Sequence, residues 1–217
     1  MELVVFSLNY SSWSVRAWLA LDHAGVAFEV RHIGGLVDEG WRDRLLAITG
    51  AARVPVLLDG DLTVHESLAI CEYVAEGHPE AGLWPQDARA RARARARAVS
   101  CEMVSGFHSV RQEMPMNLRG RAKAFVASAQ VQGELVRIFQ LWEEALHRSG
   151  GPFLFGAFSV ADCMFMPVLS RLRTYRVETP TGLQPYVEAM WGQPSVARWA
   201  TLAQGEPAIP MYDEALG

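Results

Sequence analysis

The sequence predicts a chain in two parts: an α/β unit over residues 1–78 and an all-helical unit over residues 88–217, joined by a linker at 79–87. Three observations predict it. The first third alternates short apolar β-type runs with amphipathic helical stretches. A cluster of turn residues, Gly77-His78-Pro79-Glu80-Ala81-Gly82-Leu83-Trp84-Pro85, then breaks the pattern. Beyond Asp87 the chain is almost wholly helical in character. With 217 residues, half of them apolar and a fifth charged, it can bury one large core or two smaller ones.

Leu3 to Ser7 reads as a first strand, and Ser14 to Ala24 as a helix closed by Gly25. Ala27 to His32 alternates as a second strand, and Asp38 to Ile48 carries Trp41, Leu45 and Ile48 on one helical face. Pro55–Leu58 and Leu62–Val64 flank Asp59-Gly60-Asp61, a hairpin. Glu66 to Glu76 follows as a helix. The order βαβ then ββα is that of the thioredoxin-like fold, in a unit of about 80 residues. In the second part, helices are expected near 88–114, 120–148, 159–174, 183–192 and 194–203, with Asp87 as the first N-cap. The Arg-Ala run from Arg89 to Ala98 spreads its arginines over two helical stripes, so it predicts a solvated or salt-bridged surface ahead of an anion site. Ser159-Val160-Ala161-Asp162 is an S-x-x-D capping box, a structural device.

Bulk properties exclude several functions. A net charge of −4 argues against phosphate neutralisation on nucleic acid. No apolar run approaches the roughly 20 residues of a membrane span, and the N-terminus lacks the basic region of a signal peptide. Cys71, Cys101 and Cys163 stand apart in apolar helical patterns and read as buried, inert thiols in a reducing cytoplasm. No HxxxH or Cys/His cluster calls for a metal.

Two motifs carry chemistry. Arg53-Val54-Pro55-Val56-Leu57-Leu58 places a proline in an apolar β-type run, where it cannot donate to a ladder. Such prolines are often cis, which leaves the preceding residue's N–H and C=O free for another partner. Eleven residues on, Glu66-Ser67 opens a helix and puts a carboxylate and a hydroxyl at its N-terminus, a place to hold a small peptide by its backbone and charged end. The second motif lies after the first strand, where Ser11-Ser12-Trp13-Ser14 makes an S-x-x-S. Redox proteins of the thioredoxin-like fold place a CxxC nucleophile there; here the thiols are gone and the electropositive helix end remains. The reacting sulfur is therefore expected from a ligand.

Together these motifs, with the capping box, resemble the cytosolic glutathione transferases of bacteria with a serine-type active-site loop. The resemblance spans the chain. It implies an enzyme that binds glutathione as co-substrate, needs no metal, and forms a homodimer serving detoxification. Val54 would pair with the cysteinyl backbone beside Pro55, Ser67 would hold the γ-glutamyl carboxylate, and Glu66 its ammonium. Arg53, His32 and Arg42 stay open as partners of the glycyl carboxylate. Ser11 would donate to the thiolate, with Ser12 or Ser14 capping the helix; Ser12 is second choice as donor and Tyr10 third. The partner substrate would be a small hydrophobic electrophile between the two parts, against Met103, Phe107, Met114 and Met116. Disulfide or peroxide reduction would use the same thiolate. Maleylacetoacetate isomerases of zeta type carry Ser-Ser-Cys-Ser-Trp-Arg, and this chain lacks that cysteine, so isomerisation ranks behind transfer. A non-catalytic regulatory protein of this fold need keep none of Ser11, Val54, Pro55, Glu66 and Ser67.

Overall fold

Four strands, β1 (Glu2–Val5), β2 (Glu29–His32), β3 (Val56–Asp59) and β4 (Leu62–His65), form one sheet in the order β2-β1-β3-β4. The computed structural model describes residues 1–34, 40–85 and 90–217. β1 runs parallel to β2, with Leu3 opposite Val30, and antiparallel to β3, with Leu3 opposite Leu57. β3 and β4 close the hairpin, and Gly60 supplies its positive φ of 61°.

Strand alternation sorts the two faces. Leu3, Val5 and Leu57 enter the main core with α1 (Ser12–His23) and α3 (Ser67–Gly77). Val4 and Val56 face a smaller cluster with Ile33 and Leu45, the latter from α2 (Trp41–Thr49). This is the expected thioredoxin-like arrangement. The Asp38 start predicted for α2 lies outside the described residues. β1 stops short of Ser7 because the Ser7 hydroxyl accepts the N–H groups of Asn9 and Tyr10 and turns the chain.

After a single 3-10 turn at Pro79–Ala81, the chain becomes helical: α4 (Ala90–Ser105), α5 (His108–Glu113), α6 (Ala129–Ser149), α7 (Val160–Tyr175), α8 (Gln184–Gly192), α9 (Pro194–Gln204) and α10 (Pro210–Glu214). Two expected helices differ. The one at 88–114 breaks at Phe107, which takes φ 57°. Arg111 satisfies the last carbonyls of α4, donating to Met103 and Val104, while the Glu134 carboxylate accepts the N–H groups of Ser109 and Val110 at the start of α5. The one at 120–148 starts only at Ala129, capped by Ser128. Upstream of it the backbone is spent on distant partners, Ala122 on Thr174 and Lys123 on Leu216. The Asp87 cap and Arg89 lie outside the described residues.

α7 is buried along nearly its whole length and packs against α1. Asp162 accepts the N–H of Ser159, as the capping box predicted, and also that of Leu154. Arg97 of the Arg-Ala run pairs with Glu72 at 2.8 Å and the run's described arginines are exposed, the expected salt-bridged surface. One expectation is corrected: Cys71 and Cys163 are buried, but Cys101 is exposed, because it lies on the outer side of α4 from Met103. Among the described residues no helix is long and apolar enough to cross a membrane.

Candidate active site

The loop between β1 and α1 is fixed from the helical part. Asn9 is fully buried; its side chain donates to Asn117 at 3.0 Å and accepts the Arg119 N–H at 3.2 Å. This holds the first turn of α1 in place. Ser11 is the N-cap, which the sequence reading gave to Ser12 or Ser14. Its Oγ accepts the Ser14 N–H at 3.3 Å and the Ser14 hydroxyl at 2.9 Å. With both lone pairs engaged, the Ser11 proton stays available for an outside acceptor. Ser12 accepts one guanidinium N–H from Arg171 at 3.4 Å.

Tyr10 is set aside as a thiol donor. Its hydroxyl donates to Asp213 at 3.0 Å and accepts from Arg119 at 3.0 Å and from the Ile209 N–H at 3.2 Å, which exhausts its capacity. It anchors the C-terminal segment instead, and its ring packs 4.9 Å from that of Tyr212.

The second wall comes from the β3 side. The Val54–Pro55 bond is cis, and the ladder begins only at Val56, so no strand partner occupies Val54. Glu66, just ahead of α3, takes φ 70°, a left-handed conformation that costs a non-glycine residue about 1–3 kcal/mol and clusters at functional positions. Ser67 follows at the first helical position, 1% exposed, and its Oγ has no hydrogen-bond partner. A buried hydroxyl left unpaired is uncommon and calls for a reason.

Between these walls lies a cleft of about 660 Å³ lined by Trp13, Trp41, Arg53, Val54, Glu66, Val104, His108, Arg111 and Tyr212 among others. Arg53 reaches Glu66 at 3.6 Å. The predicted apolar wall is corrected by one helical position. Met103, Phe107, Met114 and Met116 are buried core, and the neighbouring stripe of Val104, His108 and Arg111 faces the cleft. Sequence reasoning missed Trp41, Arg111 and Tyr212. The alternative stripe one residue along from Met103 and Phe107, running from α4 into α5, was the available signal for Arg111; for Tyr212 there was none.

Of the three cations left open for a glycyl carboxylate, only Arg53 lines the cleft. Arg42 is an exposed residue of α2 that does not line it. His32 lies on a separate apolar cavity of about 520 Å³, where its Nε2 is 2.7 Å from Glu206. The Glu206 bond raises the His32 pKa. Burial opposes ionisation of Glu206, but His32, the Leu8 N–H and the Ser7 hydroxyl outweigh it and its pKa is lowered. His32 stabilisation is therefore complete below its ordinary value of about 6.5 and lost as pH rises through its folded pKa; that of Glu206 is lost as pH falls through its own. His32→Asn is expected to lower the melting temperature by roughly 1–3 °C at pH 6 and to have no effect at pH 9. Equal losses in melts at both pH values would rule out a charge-dependent clasp.

Residues 10–76 match the family described as Glutathione S-transferase, N-terminal domain, and residues 86–200 match Glutathione S-transferase, C-terminal domain. The chain belongs to the cytosolic glutathione S-transferase family, and it is an enzyme of that family with glutathione as co-substrate. A probable maleylacetoacetate isomerase of Caenorhabditis elegans is 29% identical over 84% of this chain and 83% of its own length. Glutathione S-transferase 1 of Dianthus caryophyllus is 38% identical, but over only 40% of this chain and 38% of the plant protein. Among solved structures, a glutathione transferase homolog from Burkholderia with bound glutathione is 25% identical at a TM-score of 0.69, covering 94% of this chain and 97% of its own. Among the described residues no group of three or more His, Cys, Asp and Glu could hold a metal.

Proposed function

We propose that the cleft binds glutathione along Val54, Glu66 and Ser67 and activates its thiol at the start of α1 for attack on a small hydrophobic electrophile. The observation that carries this reading is the unpartnered, buried Ser67 hydroxyl directly after the positive-φ Glu66, which with Arg53 and Val54 lines the cleft. A γ-glutamyl carboxylate would complete Ser67 and the free N–H groups of α3, with Glu66 taking the ammonium and Arg53 the glycyl carboxylate. Ser11 would donate its free proton to the thiolate, helped by the positive end of α1. The electrophile would sit against Trp13, Val104, His108 and Tyr212. The family resemblance extends the reading to a cytoplasmic homodimer.

A second reading, glutathione-dependent cis–trans isomerisation, is favoured by the maleylacetoacetate isomerases that match most of the chain. Trp13 in place of that group's cysteine keeps it second. Calorimetry with glutathione, followed by assays with an aryl halide, an organic peroxide, a small disulfide and a maleyl-type cis acid, separates the readings. Glutathione-dependent turnover of the aryl halide is the expected result, and turnover of the cis acid alone would transfer the assignment to isomerisation. Absence of glutathione binding to this cleft would remove both readings of the site.

A further inference from the structure

Three guanidinium groups converge beneath the start of α1: Arg16 from α1, Arg111 from α5 and Arg171 from α7. Arg16 and Arg171 are 1% and 4% exposed. Neither is salted to a carboxylate among the described residues; both are held by main-chain carbonyls. Arg16 donates to Met164 at 3.1 Å, and Arg171 to Met114 at 2.7 Å and Pro167 at 3.2 Å. The Trp13 ring is flanked by Arg16 at 4.4 Å and Arg111 at 4.6 Å. One Arg16 Nη and the Arg111 Nε have no partner.

The charges act on one another. Burial lowers the Arg16 pKa, and Arg111 and Arg171 lower it further; Arg171 is pushed down to about 10 by burial and by Arg111. The other groups facing them give little relief. Cys71, beside Arg16, is pushed up to about 12 and stays neutral, as do Tyr175 and Tyr212 near Arg171, whose pKa values burial also raises. Glu134 faces Arg111, but its oxygens already accept two backbone N–H groups. Buried cations without a counter-ion are costly, so their retention at one spot calls for an anion there. The remaining Arg171 nitrogen faces Ser12 Oγ at 3.4 Å, filling a lone pair and leaving the hydroxyl proton for the next acceptor.

We infer that Arg171 is a positioning residue for thiol activation: it turns the Ser12 hydroxyl toward the sulfur bound beside Ser11 and, with Arg16 and Arg111, supplies the positive potential that keeps that sulfur ionised. The thiol proton leaves to solvent, and no other bond changes. The inference rests on the glutathione reading, so its test separates the two. Calorimetry with S-methylglutathione, which has no thiol to ionise, measures the binding groups alone. The thiolate's ultraviolet absorbance against pH measures the bound thiol.

Arg171→Met is expected to raise the bound thiol pKa by about one unit, tenfold less thiolate on the acid side, and to shift the pH profile of kcat/KM with it. S-methylglutathione affinity should stay within about twofold, and Arg171→Lys, which keeps the charge, should recover more than half of the shift. A purely structural role would lower the melting temperature of both variants and leave the thiol pKa alone, which overturns the proposal. If Arg171→Met does not fold, Ser12→Ala tests the same path through one buried hydroxyl, and an unchanged thiol pKa there overturns it equally. A wild-type protein that binds neither glutathione nor S-methylglutathione ends the glutathione reading itself and this inference with it.

Discussion

Ser11→Ala is expected to raise the pKa of bound glutathione by about one to two units and to lower turnover roughly 10- to 100-fold near neutral pH. A hydrogen bond to an ionised group contributes about 1.5–3 kcal/mol, and each pKa unit is about 1.4 kcal/mol, which sets the size of the shift. On the proposed reading the hydroxyl would interact mainly with the ionised sulfur, so affinity measured at low pH, where the thiol is protonated, should change little. The same substitution removes the cap of α1, because Ser11 Oγ accepts the Ser14 N–H, and should cost about 1 kcal/mol of stability. Thiolate absorbance against pH and a thermal melt report the two effects separately. Ser12→Ala, which on the inference above would remove one of the groups polarising the sulfur, should shift the pKa less. A large shift from Ser12→Ala with none from Ser11→Ala would exchange the two roles, and no shift from either would end the serine assignment.

Ser67→Ala has an unusual expected signature: weaker glutathione binding in a protein no less stable. The Ser67 hydroxyl is buried and unpartnered, so its removal deletes an unsatisfied polar atom and should leave the melting temperature unchanged or slightly higher. In the complex that hydroxyl would bond a carboxylate, so its loss should weaken affinity by about 1.5–3 kcal/mol, roughly 10- to 100-fold. Calorimetry at fixed pH measures the loss. Unchanged affinity would show that the γ-glutamyl group lies elsewhere, and a marked fall in melting temperature would reveal a structural partner for Ser67.

What the sequence disclosed is what local patterning controls. The period of two in β1 and β3, the Gly25 stop after α1, and the Glu66-Ser67 start of α3 are each written within a few neighbouring residues, and so was the thioredoxin-like order. The joint at Phe107 was not. Met103, Phe107, Val110 and Met114 keep a helical spacing through the break, because all four are buried in the core whichever helix carries them. That same continuity placed the cleft wall one position off. Arg171, Arg111 and Tyr212 come near Ser12 and Trp13 only through tertiary packing, and separations such as the 159 residues between Ser12 and Arg171 leave no periodicity to read. Ser11 was misjudged as free of the cap because three serines within four positions satisfy the same capping preference.

The bond from Tyr10 to Asp213 joins residues 203 apart in the chain. At roughly 5–20 residues per second of synthesis, the two partners are made about 10–40 s apart. During that interval Tyr10 and the future floor of the cleft wait without Tyr212 or Ile209 to cover them, and the buried Asn9 loop waits for Asn117 through about the first half of it. The thioredoxin-like part is thus made first and finished last. The growing chain carries Val54, Glu66 and Ser67 long before Tyr212 closes the cleft, so on the proposed reading the groups that would hold the peptide are made well before the cavity around them is complete.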